Sequence, residues 1–329
     1  MDKIKVILDV DTGSDDAIAI MTALRSPELD VLGIMTVNGN KPVENTTENT
    51  LRVLDLMGQG EKIPVYKGCQ EPLVAGLLKT RSMNVTKDIV EKDGKIITYH
   101  HPYLEELLPS RTKPEKERAI TWLIRTLMES DGDITLIAVG PLTNLAVAMR
   151  ANPEIVEKIK KIIIMGGGCL QTNTTSASEF NIHMDPEAAQ IVLTSGCEIV
   201  LVPLDATHRA WVTREESRRF REIGSPVSVA VADLLDTRIE AYDELQPIAI
   251  APQASTPPHD ALAVCAAIDE AVLQDVQFRR VDVDFGGGIA DGMTVVDPRV
   301  RTDQPKNVSI AFGADREKFV NMLFERLGY

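Results

Sequence analysis

Short runs rich in valine and isoleucine alternate along this chain with longer segments of helical period, and this alternation is the strongest constraint on its fold. Strands and helices that alternate in this way pack as a parallel sheet covered by helices. The pattern predicts strands at 4–10, 30–37, 133–139, 160–165, 198–203, 276–284 and 307–312. It predicts helices at 15–26, 43–58, 115–130, 142–151, 186–195, 214–223, 226–243, 259–270 and 314–327. We therefore predict an α/β fold with an open, mostly parallel, mixed sheet flanked by helices.

The chain shows no internal repeat and no low-complexity linker. Its 329 residues can bury a large core as one big domain or as two small ones. We predict a single domain over residues 1–329, which is the simpler organisation. Residues 68–114 are the least regular part, with scattered glycine, proline and charge, and we expect them to form an exposed excursion over the sheet.

Composition and charge exclude several classes of function. Hydrophobic residues make up 44% and charged residues 26%, which is the balance of an ordinary soluble protein. The longest apolar runs, such as "ITLIAV", are far below the roughly 20 residues that span a bilayer, and no signal peptide is visible. We therefore expect a cytoplasmic protein without a membrane partner. A net charge of −14 would repel phosphate backbones, so we expect no nucleic-acid partner.

Polar and glycine-rich stretches follow the predicted strands. The first strand ends at an aspartate cluster, and later strands end at "VNGN", "AVGPLTN", "MGGG" and "PLDATH". In open α/β sheets, ligands bind outside the carboxyl ends of the strands, where such loops meet. The sequence therefore predicts one binding site along this rim of the sheet.

Asp9, Asp11, Asp15 and Asp16 fall within the eight residues "DVDTGSDD". Two carboxylates about 4 Å apart repel by roughly 4 kcal/mol at an effective dielectric near 20, so a cluster needs protons or a cation. A hard divalent cation is the usual partner of clustered oxygen ligands. A structural alternative makes Ser14 a helix N-cap with Asp15 and Asp16 in the first turn, but it leaves Asp11 unexplained.

The same stretch also fits a second kind of chemistry. The strand end "ILDVDTG" matches phosphatases of the haloacid dehalogenase type, in which Asp9 would be the nucleophile and Asp11 the acid. Those enzymes need a later acidic motif to hold magnesium, and the sequence has none. They also have no use for Asp15 and Asp16.

The order of the motifs resembles the inosine-uridine nucleoside hydrolase family. The motif D-x-D-x-G-x-D-D is followed by "VNGN", "GPLTN", "MGGG", "EFNIHMDPEAA" and "HDALAV" in that family's order. The resemblance implies a Rossmann-like nucleoside hydrolase fold. It implies hydrolysis of ribonucleosides to ribose and free base, and assembly into a homodimer or homotetramer.

The resemblance also implies a calcium ion at the base of the pocket. Its ligands would be Asp11, Asp16, the backbone carbonyl of Val139 and Asp260, with oxygen donors that suit a hard cation. The ion would bind a water molecule and the 2′ and 3′ hydroxyls of ribose. Asp11 would act as the base that removes a proton from that water.

Further roles follow from the same resemblance. His259 would protonate the departing base, since imidazole titrates near neutrality. Taken without the resemblance, Asn40 fits a turn residue, Glu179 and Asn181 fit a solvated loop, and His259 fits a structural group. The ribose would be bound by side chains that offer carboxylate, amide or thioether groups, together with Asp260 of the metal site: Asp15, Asn40, Met165, Asn173, Glu179 and Asn181.

The chain departs from the family between residues 67 and 114. The family commonly carries a glycine-rich stretch with a histidine there, whereas this chain has "RSMNVTKDIVEKDGKIITYHH". His100 and His101 could replace part of that pocket wall, but we expect them at the surface, and we expect His208 to be structural or pocket-lining. The identity of the nucleobase therefore stays open.

A third reading is a calcium-dependent nucleoside- or sugar-binding protein that has lost turnover. The presence of Asp11, Asp16, Asn181 and Asp260 argues against such a loss.

Overall fold

A computed structural model describes residues 3–74, 77–78, 89–299 and 303–328. Its centre is an eight-stranded sheet of order β11-β14-β8-β7-β6-β1-β2-β3, in which only the pair β11 and β14 is antiparallel. Among the described residues, three two-stranded sheets, β4-β5, β9-β10 and β12-β13, lie outside it. The strands are β1 (Ile4–Val10), β2 (Leu29–Thr36), β3 (Val65–Lys67), β4 (Ile89–Lys92), β5 (Lys95–Thr98), β6 (Ile134–Ala138), β7 (Ile159–Met165), β8 (Ile199–Val202), β9 (Val212–Thr213), β10 (Ser255–Thr256), β11 (Leu273–Arg279), β12 (Val281–Val283), β13 (Thr294–Val296) and β14 (Val308–Ala314).

Helices cover both faces of the main sheet, as the continuous apolar runs of its central strands require. Alternate residues of β1 point to opposite faces, so Val6 and Leu8 join one apolar cluster and Ile7 joins the other. The first cluster includes residues of α1, α9, α10 and α11, and the second includes residues of α3, α4 and α6. The helices are α1 (Ser14–Arg25), α2 (Val43–Leu56), α3 (Ala119–Glu129), α4 (Thr143–Ala151), α5 (Phe180–Met184), α6 (Pro186–Leu193), α7 (Leu204–Thr207), α8 (Arg214–Ile223), α9 (Pro226–Leu245), α10 (His259–Ile268) and α11 (Arg316–Leu327).

The predicted fold class is confirmed, and most element bounds agree with the structure within two residues. The predicted strand at 276–284 is wrong in its extent. The chain leaves the main sheet after Arg279, and β12 pairs instead with β13 in a separate hairpin. The helix predicted from 115 begins only at Ala119, after an extended Arg118.

The predicted excursion at 68–114 is partly regular. Its residues 75–76 and 79–88 lie outside the described residues. The remainder contains the hairpin β4-β5, which packs against α9 and forms the ion pairs Lys92–Glu244 and Lys95–Glu240. Glu244 and Glu240 belong to α9, so this helix anchors the hairpin.

The carboxyl ends of β1, β6, β7 and β8 lie side by side at one edge of the sheet, as the parallel pairing dictates. The N-terminus of α1 directly follows β1 at this edge. Within the described ranges, none of the helices combines the length and the apolar character needed to cross a membrane.

Candidate active site

A cavity of about 460 Å³ opens at this edge of the sheet. That volume is in the range of small-molecule sites. Asp16 is fully buried, and one of its oxygens lies within 4.8 Å of ligand atoms of Asp15 and Asp260. The cavity is lined by ten of the residues predicted from the sequence: Asp11, Asp15, Asn40, Val139, Met165, Asn173, Glu179, Asn181, His259 and Asp260.

Asp16 organises the loop between β1 and α1. Its Oδ1 accepts the backbone N–H of Asp11 at 3.2 Å, and its Oδ2 accepts that of Gly13 at 2.8 Å. Gly13 occupies the N-cap position of α1, so the alternative in which Ser14 is the N-cap is wrong. Ser14 instead starts the helix, and its hydroxyl bonds to Tyr99 O and to Arg238.

Asp11 is held from the loop after β2. Its Oδ2 accepts the backbone N–H of Asn40 at 2.7 Å. A Cβ atom on Gly39 would lie 2.1 Å from that oxygen, so only glycine permits this approach. The sequence "NGN" therefore serves to seat the Asp11 carboxylate as well as to make a turn.

The acidic cluster of this site consists of Asp11, Asp15, Asp16 and Asp260. Burial and repulsion between carboxylates raise the pKa values of three of its members, Asp11, Asp16 and Asp260. The pKa values of Asp11 and Asp260 lie well above their ordinary range because both groups are buried and face other carboxylates. Burial and Asp15 raise the pKa of Asp16 to about 7. These oxygen donors fit a hard divalent cation, which would favour their ionised forms.

The loop before α5 fixes two further predicted residues. Glu179 is the N-cap of this helix, and its carboxylate accepts the N–H groups of Gly167, Asn181 and Ile182. Burial still raises the pKa of Glu179 to about 7. The side chain of Asn181 donates to the Val139 carbonyl at 2.7 Å, so it ties this loop to the end of β6.

His259 also lines the cavity, and both of its ring nitrogens are engaged. Its Nε2 is 2.6 Å from the Tyr242 hydroxyl, and its Nδ1 is 2.7 Å from the Thr207 hydroxyl. Burial, followed by the charge of Arg238, holds the pKa of His259 well below its ordinary value. His259 is therefore neutral near pH 7, so it does not act as a charged imidazolium donor.

The expectation that His100 lies at the surface is wrong. His100 lines the cavity, and its Nδ1 accepts the N–H of Ser14 at 3.4 Å. A Cβ on Gly13 would lie 2.1 Å from that nitrogen, so the ring packs directly on the start of α1. Burial lowers the pKa of His100 to about 4. His101 is absent from the cavity lining within the described residues.

His208 lines the cavity, which confirms the prediction that it is structural or pocket-lining. The centroid of its ring is 5.7 Å from that of His259. Burial lowers the pKa of His208 to about 4, so it is neutral near pH 7.

Sequence reasoning missed Arg238 and Tyr242, which both line the cavity from α9. A signal for them existed. They continue the series of buried positions that begins at Val231, Leu234 and Leu235, so the helical period places both on the inner face of α9. A guanidinium and a phenol on the buried face of a helix need polar partners, and a buried group of polar side chains indicates a binding site.

Asp9 lies outside this arrangement. Its carboxylate accepts the side-chain N–H of Asn144 at 2.8 Å, and it does not line the cavity among the described residues. Its position gives no support to the phosphatase reading, which needs Asp9 as an accessible nucleophile.

A sequence profile of inosine-uridine preferring nucleoside hydrolases matches residues 6–321. The chain belongs to this family. The pyrimidine-specific ribonucleoside hydrolase RihA of Escherichia coli O1:K1 / APEC is 38% identical over 326 residues, covering 98% of each chain. RihA of Citrobacter koseri is 39% identical over 325 residues, again with 98% of each chain covered. The prediction of an N-glycosidase hydrolase that acts on nucleosides is confirmed.

Solved structures agree with this assignment. A plant nucleoside hydrolase, the PpNRh1 enzyme, superposes with a TM-score of 0.85 at 31% identity and 99% coverage of each chain. A purine-preferring ribonucleoside hydrolase from Gardnerella vaginalis superposes with a TM-score of 0.83 at 31% identity, with 98% of each chain covered. The predicted nucleoside hydrolase fold is confirmed across the chain.

Proposed function

We propose that this enzyme hydrolyses the N-glycosidic bond of ribonucleosides in a calcium-dependent reaction that yields ribose and free base. One observation carries the proposal: three carboxylates of the buried acidic cluster and a neutral imidazole line one cavity, with amide groups and a further carboxylate also in its wall. Such a cavity has carboxylate ligands for a cation, polar groups that bind a sugar, and an imidazole that assists proton transfer to a leaving group.

The calcium ligands in this proposal are Asp11, Asp16, Asp260 and the carbonyl of Val139. When bound, calcium would supply Lewis acidity that makes a water molecule more acidic, and it would bind two ribose hydroxyls. The raised pKa values of the three carboxyl groups support the assignment, because an unpartnered buried cluster would hold protons instead.

In the proposed reaction, Asp11 accepts the proton of the attacking water. The bond from Asn40 N–H fixes one oxygen of Asp11 and leaves the other for this task. Gly39 and Gly140 let the carboxylate fit closely between their backbones, because a Cβ on either would lie 2.1 Å or 2.8 Å from an Asp11 oxygen.

The ribose in this proposal is bound by Asp15, Asn40, Asn173, Glu179 and Asn181, with Met165 and Asp260 beside it. Cleavage passes through an oxocarbenium-like sugar, which carries positive charge. Fixed carboxylates near that charge stabilise the transition state more than the ground state, and this difference accelerates the reaction.

The departing base would receive its proton through Tyr242 and His259. Because the pKa of His259 is low, the ring stays neutral. The Tyr242 hydroxyl would give its proton to the base as the C–N bond breaks, His259 Nε2–H would donate to the resulting phenolate, and water would return a proton to Tyr242 after the products leave. The Tyr242 hydroxyl lies 2.6 Å from this Nε2.

We also propose that the enzyme is a cytoplasmic homodimer or homotetramer, as the family resemblance implies.

The experiment is a panel of purine and pyrimidine ribonucleosides and their 5′-monophosphates, assayed for free base with and without EDTA. We expect cleavage of the neutral nucleosides, and we expect EDTA or Asp11→Ala to reduce it by at least about 1,000-fold while the circular dichroism spectrum is retained. The monophosphates should react at least about 100-fold more slowly, because their charge meets buried carboxylates.

Equal cleavage with and without EDTA would contradict the calcium dependence. A protein that binds ribonucleosides but releases no base would favour the non-catalytic binding reading. Phosphate release from p-nitrophenyl phosphate that is lost on Asp9→Asn would favour the phosphatase.

A further inference from the structure

Arg238 is a buried cation beside the acidic cluster, and neither the hydrolytic chemistry nor the metal ligands proposed above use it. It lies in the second half of α9 with only 1% of its surface exposed, and it lines the cavity. Its pKa is raised, because nearby carboxylates, Asp15 first, outweigh the opposing effect of burial. A charge buried this deeply needs partners, and they identify its task.

Both terminal nitrogens of Arg238 bind structural elements around the site. Its Nη1 lies 3.0 Å from Asp15 Oδ1 and donates to the Ser14 hydroxyl at 3.0 Å. Its Nη2 donates to the carbonyl of Pro257 at 3.1 Å. Ser14 and Asp15 begin α1, and Pro257 precedes α10, so one guanidinium links the two helices that carry the acidic cluster.

Asp15 is also one of three carboxylates, with Asp16 and Asp260, whose oxygens lie close enough together to bind an ion. A calcium ion sits about 2.3–2.6 Å from its oxygen ligands. On the same oxygen of Asp15, that ion and the guanidinium nitrogen would be at most about 5.6 Å apart. Like charges at that distance repel strongly in a buried site, so the Asp15 oxygen that pairs with Arg238 is a poor ligand.

We propose that Arg238 is a positioning residue that pairs with Asp15, keeps its carboxylate out of the metal coordination and directs it to the ribose. This inference rests on the proposed function. It explains why the four carboxylates of the acidic cluster serve two tasks: Arg238 neutralises Asp15, and a divalent cation takes the other three, Asp11, Asp16 and Asp260. The planar guanidinium suits this role because it reaches three partners at once, which a lysine ammonium at the end of a flexible chain does poorly.

The test compares Arg238→Met with the double variant Asp15→Asn/Arg238→Met. Methionine keeps much of the side-chain volume but removes the charge. In the single variant Asp15 is released, so Ca²⁺ binding measured by titration calorimetry should tighten at least about 10-fold. The KM for the best ribonucleoside should rise at least about 10-fold, with a smaller change in kcat, because Asp15 moves from the ribose to the ion.

The double variant removes both charges of the pair. Its Ca²⁺ affinity should return to within about 3-fold of wild type, while its KM stays high because the Asp15 carboxylate is gone. Arg221→Met is the matched control, since Arg221 pairs with Asp233 and Asp236 of α9 on an exposed surface. It should leave Ca²⁺ affinity and KM unchanged.

Unchanged Ca²⁺ affinity and KM in a folded Arg238→Met protein would overturn the proposal. If Arg238→Met fails to fold while the double variant folds, the charge pairing is supported, and if both fail to fold, the role is packing and the proposal is overturned. Measurements on the wild-type protein test the proposed function separately from the role of Arg238. If the wild-type protein neither binds Ca²⁺ nor releases base, the proposed function itself is refuted, before any variant is compared.

Discussion

His259 is neutral in this cavity, and its two hydrogen bonds determine how a proton can reach a departing base. One bond goes to the Tyr242 hydroxyl and the other to the Thr207 hydroxyl. A neutral imidazole has one donor and one acceptor nitrogen, so Nδ1 can accept from the Thr207 hydroxyl while Nε2–H donates to the Tyr242 oxygen and leaves the phenolic proton for the base. Burial also favours the protonated phenol, and the pKa of Tyr242 is raised. Tyr242 and His259 should therefore act as one unit.

We expect Tyr242→Phe and His259→Ala to slow the hydrolysis of ordinary ribonucleosides by similar factors of about 100. Both should slow p-nitrophenyl riboside by less than about 5-fold, because its phenolate leaves without a proton. The measurement is kcat/KM for the two substrate classes. Tyr103→Phe, at an exposed tyrosine, is the control and should change neither value.

Equal losses on both substrates would contradict this proton transfer, and a much smaller loss in Tyr242→Phe than in His259→Ala would assign the proton to His259 alone.

Individual site residues could be predicted where a short motif carries them. "DVDTGSDD" and "HDALAV" lead to Asp11 and His259 because each motif is local in sequence and follows a strand or begins a helix. Arg238 and Tyr242 could not be found in that way. Their partners, Asp15 and His259, lie on other helices: the packing of α9 on α1 brings Arg238 to Asp15, and Tyr242 meets His259 at the start of α10.

Two helix N-termini meet at the acidic cluster. Asp16 is in the first turn of α1, and Asp260 is in the first turn of α10. Each helix dipole stabilises a carboxylate by about 0.3–1 kcal/mol. That is too little to offset burial, which raises the pKa of Asp16 to about 7 and that of Asp260 well above its ordinary value, so the helix dipoles favour anions there but do not replace a cation.

This arrangement predicts a pH-dependent stability of the metal-free protein. Asp9, Asp16 and Glu179 have folded-state pKa values of about 7, above the ordinary values of 3.8 to 4.5 that apply when unfolded. Between those values the folded state holds more protons, so its stability is greatest at low pH and falls as pH rises through about 7. We expect the unfolding temperature of EDTA-treated protein to be at least about 5 °C lower at pH 8 than at pH 5.5.

Saturating Ca²⁺ should remove the part of that difference that comes from Asp16, because the ion neutralises this carboxylate, while the part that comes from Asp9 and Glu179 should remain. Scanning calorimetry at both pH values, with and without Ca²⁺, makes the comparison. A metal-free protein that is more stable at pH 8 would contradict the assigned pKa directions.

Strands and helices could be predicted from the sequence where burial imposes a clear pattern of apolar residues. They could not be predicted where a strand ends and the chain pairs with a different strand. The strands from β1 to β8 that cross the core read as apolar runs. In "VQFRRVDVDF" apolar residues alternate with polar ones on both sides of Arg279-Arg280, but the pattern shifts by one residue there, at the break between β11 and β12 that the prediction of one continuous strand overlooks. The hairpin β4-β5 was missed although its turn, Asp93-Gly94, has positive φ at both residues and is a strong hairpin signal. Because it carries the chain into Tyr99 and His100, that omission also hid part of the cavity wall.

At the scale of the whole molecule, the main sheet ends in an exposed edge. Strand β11 forms this edge, and its alternate residues Val276 and Phe278 expose 48% and 54% of their surface. Exposed apolar strand edges favour association with another chain. This supports the proposed homo-oligomer.

Light scattering on the purified protein should therefore give a mass of two or four times 36.1 kDa. The mass of a single chain, held over a 100-fold range of concentration, would contradict the proposed assembly.

The most direct test of the account is a crystal structure of the enzyme grown with Ca²⁺ and ribose. We predict an ion bound by Asp11, Asp16, Asp260 and the Val139 carbonyl, in contact with two ribose hydroxyls, while Asp15 stays paired with Arg238 and reaches the sugar. An empty cluster at saturating Ca²⁺, or ribose bound away from the ion, would contradict it.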